Sequence, residues 1–102
     1  MSDTPTWVIW KYSFGITDEA YIEIPVPHRI LKVDTQGEDI CIWALVDPGS
    51  PSQTMHIRVF GTGQPIADEV VLRMEYLDTV FTHDHRLVWH VFAHCPKLEK
   101  ES

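Results

Sequence analysis

The chain has 102 residues, of which 44% are hydrophobic and 23% are charged, as in soluble globular proteins. This length excludes a second independent core, so we expect one domain over residues 1–102, with an ordered core over about 7–94 and a frayed tail at 95–102. No apolar run approaches the roughly 20 residues of a membrane-spanning helix. The first residues, MSDTPTW, also lack the order of a signal peptide, so a cytoplasmic protein is expected.

The net charge is −7 with neutral histidines, from 8 Lys and Arg against 15 Asp and Glu. No two basic residues are adjacent, and binding to nucleic acid needs clustered cations, so direct nucleic-acid binding is not expected. An acidic surface instead steers a protein towards basic partner surfaces. Cys41 and Cys95 are expected to be reduced thiols, and the sequence indicates no cofactor.

Strand patterns dominate the chain, because β-branched and aromatic residues alternate with polar ones. The predicted strands, in chain order, are Trp7–Phe14, Ala20–Val26, Arg29–Thr35, Asp39–Asp47, Thr54–Phe60 and Leu87–His94. Pro25 and Pro27 cannot donate to a ladder, so the second predicted strand lies at a sheet edge or ends there. The fourth is apolar at odd and even positions alike, which predicts the centre of a sheet.

Residues 66–82 fit two structures. Ile66, Val70 and Met74 recur every four residues as in a short helix, whereas the alternation of apolar residues from Val70 onwards is that of a strand. A switch in apolar parity at Leu77 indicates a β-bulge. We favour the strand, which gives an all-β fold with at most one short helix. The architecture expected is an antiparallel sandwich or partly open barrel of about seven strands.

Several short stretches follow one another in a distinctive order. They are Lys11-Tyr12, Ile22–Pro25, Trp43–Pro48 (WALVDP), Gly61–Ile66 (GTGQPI) and Val88–Phe92 (VWHVF). In these stretches, over about residues 10–93, the chain resembles a family of small phage- and prophage-encoded domains of unknown function. The resemblance implies a phage origin and the cytoplasm of a bacterial host, but no activity. The family is glycine-rich at the last turn, where this chain has His83-Asp84-His85, so no role is carried over to that turn.

Four tryptophans are a heavy aromatic load for so short a chain. Trp43 and Trp89 lie in the two strongest predicted strands and are assigned to the core, or one to the core and one to a covered face. Trp7 and Trp10 point to opposite sides of the first predicted strand. One of these two is therefore expected to be exposed and to contact a partner, because large aromatic side chains dominate interfaces as well as cores.

Gly61-Thr62-Gly63 allows a positive φ and a close approach of another group to the backbone. It lacks the Lys-Ser/Thr of a P-loop and the third glycine of a dinucleotide site. A strand-ending turn is the simpler interpretation. The alternative is a loop whose N–H groups bind a small anionic or nucleotide-like ligand. In this acidic chain, that ligand would require Arg58 or Arg73 to lie beside the loop.

His83, Asp84 and His85 form the last predicted turn and are candidate metal ligands, because imidazole and carboxylate both bind divalent ions. Asp47 or Asp78 would be the third ligand. A solvated turn is the interpretation favoured, since no closely spaced metal motif is present. His90 is predicted separately to be a partly buried, hydrogen-bonded histidine, because it faces away from its two strand neighbours.

No set of residues with catalytic spacing is found, so an enzyme is not expected. The preferred hypothesis is a small acidic phage protein that docks on a host or phage protein and inhibits a host process such as an antiviral defence. The alternative is a binder of a small anionic ligand, and the third is a metal-dependent hydrolase. An open sheet also leaves edges that a homo-oligomer would pair, two-fold pairing being the commonest solution.

Overall fold

A computed structural model describes residues 6–95 of the chain. The predicted tail, apart from Cys95, lies outside the described residues. The elements in chain order are β1 (Val8–Gly15), β2 (Glu19–Pro25), β3 (His28–Gln36), β4 (Asp39–Val46), β5 (Ser52–Gly61), α1 (Asp68–Arg73), β6 (Glu75–Thr82) and β7 (Leu87–His94). Each predicted strand is present, most of them within one or two residues of the expected bounds.

The strands form two antiparallel sheets with the core between them. Sheet A has three strands in the order β1-β4-β3, and sheet B has four in the order β2-β5-β7-β6. The predicted sandwich of seven strands is therefore confirmed, and over residues 6–95 the strands do not close into a barrel. As predicted, β4 lies at the centre of its sheet and β2 at an edge.

The inner face of each sheet carries the aliphatic residues that alternate along its strands. The buried cluster is Ile24, Val33, Ile40, Ile42, Ala44, Val46, Met55, Ile57, Val59, Val80, Val91 and Ala93. Burying one such large side chain stabilises the fold by roughly 1.5–3 kcal/mol. Trp89 packs against this cluster. Trp43 is half-buried on the outer face of β4, beside the buried Cys41. The two tryptophans are thus divided between the core and the other face.

The strand favoured for residues 66–82 is wrong in its first part, because α1 occupies Asp68–Arg73. Since β7 is antiparallel to both β5 and β6, those two strands run parallel, and the chain between them has to cross β7. Acidic residues in the first turn of α1 and Arg73 in its last turn favour the helix electrostatically. The predicted bulge is confirmed, since the β6–β7 register shifts between Tyr76 and Asp78.

The two sheets meet along one side of the sandwich. There β3, an edge of sheet A, packs beside β6, an edge of sheet B. Both strands are bulged in this region, β3 between Ile30 and Lys32 and β6 at Leu77. Further along, the Thr35 hydroxyl donates to the Phe81 carbonyl at 2.9 Å. Each of these edges therefore covers the other.

We expect Ile57→Ala to lower the free energy of unfolding by about 2–5 kcal/mol, because the substitution leaves a cavity among fully buried side chains. The matched control is Leu72→Ala, which removes an aliphatic side chain that is 81% exposed on α1. Its effect should stay within about 0.5 kcal/mol. Urea unfolding of both variants measures the difference. Equal effects would contradict the assignment of the core.

Candidate functional site

The four sheet edges differ in how well they are protected. The β3 and β6 edges cover each other, as described above. The β2 edge carries Glu19 and Glu23 on its outward side, and Pro25 and Pro27 stand at its end, where they cannot extend a ladder. Strand β1 pairs only with β4 among the described residues, and it contains no proline. Its other side is the least protected edge of the sandwich.

Large apolar side chains are exposed along this β1 edge. Trp7 is 42% exposed, Ile9 59% and Trp10 41%. The sequence predicted one exposed tryptophan, and both are exposed. Trp10 shares the inner side of β1 with Tyr12, which it meets edge-on with ring centroids 6.5 Å apart, but its place on an edge strand leaves it accessible. The one charged residue of β1 is Lys11, whose Nζ donates to Gln36 Oε1 at 2.7 Å.

The Gly61-Thr62-Gly63 segment ends β5 in a tight turn, as the simpler interpretation predicted. The Gly61 N–H donates to Gln64 Oε1 at 2.9 Å, and the Gln64 N–H donates to the Gly61 carbonyl at 3.1 Å. Gly63 has a φ of 91°, in the region where glycine is favoured. The turn leaves Thr62 exposed at its tip.

Thr62 begins a chain of hydrogen bonds on the outer face of sheet B. Its Oγ1 lies 2.7 Å from His90 Nε2, and His90 Nδ1 lies 2.9 Å from Thr79 Oγ1. Thr79 Oγ1 in turn lies 2.5 Å from the Tyr76 hydroxyl. The stretches GTGQPI and VWHVF therefore meet at one point. The prediction of a hydrogen-bonded, partly buried His90 is confirmed. Thr79 and Tyr76 were not predicted to take part.

A notch of about 270 Å³ adjoins this chain of hydrogen bonds. It is lined by Gly61 and Thr62 from the turn and by Arg86, Leu87, Val88 and Trp89 from the start of β7. Arg58 and Arg73, the cations suggested for the loop by the sequence, instead line a separate pocket between β5 and α1. Arg86 is the cation that lies beside the loop. Its position there was not predicted from the sequence.

The turn between β6 and β7 gives its two histidines different neighbours. His83, Asp84 and His85 all have left-handed φ values of 55°, 57° and 70°. His83 Nδ1 lies 3.2 Å from Glu38 Oε1, whereas the ring of His85 leans against Phe81 at a centroid distance of 5.3 Å. The two histidines therefore engage different neighbours rather than a common point.

The proposed third ligands are also engaged elsewhere. Asp47 Oδ1 accepts from the Gly49 N–H at 2.9 Å, and Asp78 Oδ1 accepts from the Thr79 N–H at 2.8 Å. Over residues 6–95, no group of three or more His, Cys, Asp or Glu side chains is placed to hold a metal ion. The metal site hypothesised for His83–His85 thus has no support in the geometry.

A polar cluster not foreseen from the sequence joins β2 to β5. His56 Nε2 and Glu19 Oε2 are 2.6 Å apart, and the Tyr21 hydroxyl donates to the same oxygen at 3.2 Å. The Tyr21 and His56 rings stack at 4.7 Å. The hydrogen bond from His56 is the main cause that lowers the pKa of Glu19. Burial, followed by the hydrogen bond to Glu19, raises the pKa of Tyr21. The cluster ties the β2 edge strand to its neighbour.

Comparison with known proteins identifies the family. A family model described as "Domain of unknown function (DUF7352)" matches residues 5–101. No curated protein and no solved structure shows a significant match to the chain. Among the described residues, no helix has the length and apolar character needed to cross a membrane.

We expect Glu19→Gln to destabilise the protein more at about pH 6 than at about pH 3. A carboxyl whose pKa is lowered on folding stabilises the folded state above its unfolded pKa, and this contribution is lost as the pH falls through the folded pKa. Urea unfolding at both pH values measures the effect. In a His56→Gln background, the pH dependence of the Glu19→Gln effect should shrink. An effect that is the same at both pH values in the native background would contradict the assignment.

Proposed function

Because the chain belongs to the domain-of-unknown-function family DUF7352, its activity has to be inferred from its own surface, and we propose that it is a protein-docking module. In this proposal an extended segment of a partner protein adds to sheet A as a fourth strand, alongside β1. The free backbone groups of β1 bind the segment, and Trp7, Ile9 and Trp10 contact its side chains.

The observation that carries the proposal is the unequal protection of the sheet edges. Two edges cover each other and the β2 edge is blocked by proline and carboxylates, whereas the eight residues of β1 have one neighbouring strand within residues 6–95. Unprotected edges tend to pair with any suitable strand, and strand addition is a common mode of peptide recognition. The exposed indole rings of Trp7 and Trp10 supply the large apolar contacts that interface centres favour.

Charge adds a long-range preference to this contact. The chain carries a net charge of −7, which speeds the encounter with a basic partner at low salt. Beyond about 8 Å this attraction is screened at physiological ionic strength, so it governs association more than the bound complex. The short-range binding energy comes from the ladder and the apolar side chains of β1.

The biological setting is part of the proposal. The resemblance in WALVDP, GTGQPI and VWHVF supports a phage or prophage origin and action in the cytoplasm of a bacterial host. A small phage product without a catalytic set acts most simply by occupying a host or phage protein. We therefore propose that docking blocks a host process, such as an antiviral defence.

The double variant Ile9→Lys/Trp10→Ala should lose at least roughly ten-fold in affinity for a partner captured from bacterial lysate, because it places a charge on the edge and removes an apolar anchor. Leu72→Ala, which also removes exposed apolar surface, should bind as the wild type does. The captured protein should slow amide exchange over residues 8–15. Unchanged binding by the double variant, protection elsewhere, or no captured partner at low or high salt would overturn the proposal.

A second copy of the chain could occupy the same edge. Light scattering during size-exclusion chromatography distinguishes this case, and we expect a monomer. A dimer that Ile9→Lys/Trp10→Ala dissociates would show that β1 pairs with itself, which would overturn docking on a different protein.

A further inference from the structure

We propose that the notch at the end of β5 binds a small oxyanion, a phosphate or a carboxylate group, through Arg86 and Thr62. In this proposal, the chain of hydrogen bonds from Tyr76 through Thr79 and His90 holds the Thr62 hydroxyl so that its hydrogen points towards the ligand. This site is separate from the β1 edge, and its tests do not depend on the proposed docking.

The register of sheet B creates the notch. Pairing between β5 and β7 ends at Gly61 and Trp89, whereas pairing between β6 and β7 continues to Thr82 and Leu87. In the described part of the chain, Leu87 and Val88 consequently have a paired strand on one side only. The space beside them, about 270 Å³, takes a group the size of a phosphate with a small apolar substituent against Leu87 and Trp89.

Arg86 supplies the positive charge that an anion needs. Among the described residues that line the notch it is the only charged one, so none of them places a carboxylate against an anion. Within residues 6–95, its guanidinium makes no ion pair. Guanidinium groups bind phosphate and carboxylate through two parallel hydrogen bonds, which are stronger than bonds between neutral groups. An unpaired arginine in an acidic chain is thus available to a ligand.

The turn adds neutral donors. The N–H groups of Gly61 and Gln64 are used within the turn, but the N–H groups of Thr62 and Gly63 donate to no acceptor in the described part of the chain. The positive φ of Gly63 at this point is a conformation that a glycine adopts without steric cost. Backbone N–H groups of this kind commonly bind anions.

The direction of the hydrogen-bond chain decides what Thr62 presents to the notch. In one direction the Tyr76 hydroxyl donates to Thr79 Oγ1, the Thr79 hydroxyl donates to His90 Nδ1, and the His90 Nε2–H donates to Thr62 Oγ1. The Thr62 hydrogen is then free to donate to a ligand. Each bond in such a head-to-tail chain strengthens the next by polarisation, so an anion at its end favours this direction.

In the opposite direction, the Thr62 hydroxyl donates to His90 Nε2 and presents only lone pairs to the notch. An oxyanion would be repelled by that arrangement. The two directions require different tautomers of His90, with the proton on Nε2 for the proposed site and on Nδ1 for the reverse. The tautomer of His90 therefore tests the proposed direction of the hydrogen bonds directly, without an activity assay.

The first test measures the affinity for inorganic phosphate, phenyl phosphate and benzoate by NMR titration. Arg86→Gln and Thr62→Val should each weaken binding roughly ten-fold or more, as expected for loss of a hydrogen bond to a charged group. Thr62→Ser keeps the hydroxyl and should bind like the wild type, and Arg29→Gln controls for net charge. Preference for phenyl phosphate or for benzoate separates the two sources of the oxyanion. No binding of any probe, or equal binding by Arg86→Gln, would overturn the site.

The second test determines the His90 tautomer from its ring ¹⁵N shifts at neutral pH with phosphate bound. We expect the Nε2–H form, and the Nδ1–H form would overturn the proposed direction. Tyr76→Phe removes the first donor without touching the notch, and it should weaken phosphate binding by roughly two- to five-fold. An unchanged affinity in Tyr76→Phe would show that the chain does not act on Thr62. Ile9→Lys/Trp10→Ala should bind phosphate normally, which separates this site from docking.

Discussion

Strand β7 pairs antiparallel with β5 on one side and with β6 on the other, and much of the molecule depends on this arrangement. Its inward residues Val91 and Ala93 are part of the core. Its outward His90 lies between Thr62, just after β5, and Thr79 on β6, so the chain of hydrogen bonds exists only because β7 separates these two strands. The same pairing makes β5 and β6 parallel, which forces the connection containing α1 to cross the sheet.

The sandwich is closed on one side and open on the other. The bulges in β3 and β6 occur where the two sheets approach each other, and bulges at such points bend strands and increase their twist. On the opposite side, β1 and β2 follow each other through residues 16–18 but belong to different sheets. Protection there is local to each strand. Within residues 6–95, proline and carboxylates protect the β2 edge, whereas the β1 edge has little protection.

The strands were predictable because burial of one face imposes a two-residue period, as in Met55, Ile57 and Val59 of β5. The four-residue spacing of Ile66, Val70 and Met74 offered a helix as the alternative for residues 66–82, but it could not decide between helix and strand, because a six-residue helix buries only Val70. The bulge at Leu77 could be predicted because the apolar residues switch there from even-numbered to odd-numbered positions. The need for a connection that crosses β7 follows from the order of strands in space, which local patterns do not encode.

The candidate sites divide in a similar way. Exposure of one tryptophan of the pair Trp7 and Trp10 could be anticipated from alternation, but exposure of both could not, because Trp10 lies on the inner side of β1 and is accessible only through its place on an edge strand. A glycine-flanked Thr62 stood out by composition. The surroundings of Thr62 could not be anticipated, since the pairing of β7 with its neighbours links Thr79 to Thr62 through His90 and places Arg86 at the same notch. Cross-strand proximity depends on register, and register is set by the whole sheet rather than by any short segment.

The left-handed turn at His83, Asp84 and His85 has a consequence for how this chain can vary. Each L-residue held at positive φ costs roughly 1 kcal/mol or more that glycine would avoid. Glycine at these positions would make the same reversal without that steric cost. In this chain, the final hairpin instead carries His83, Asp84 and His85 in a strained backbone conformation, which places two imidazoles and a carboxylate on the surface. Glycine substitutions at these positions would relieve the strain and stabilise the fold without changing the rest of its surface.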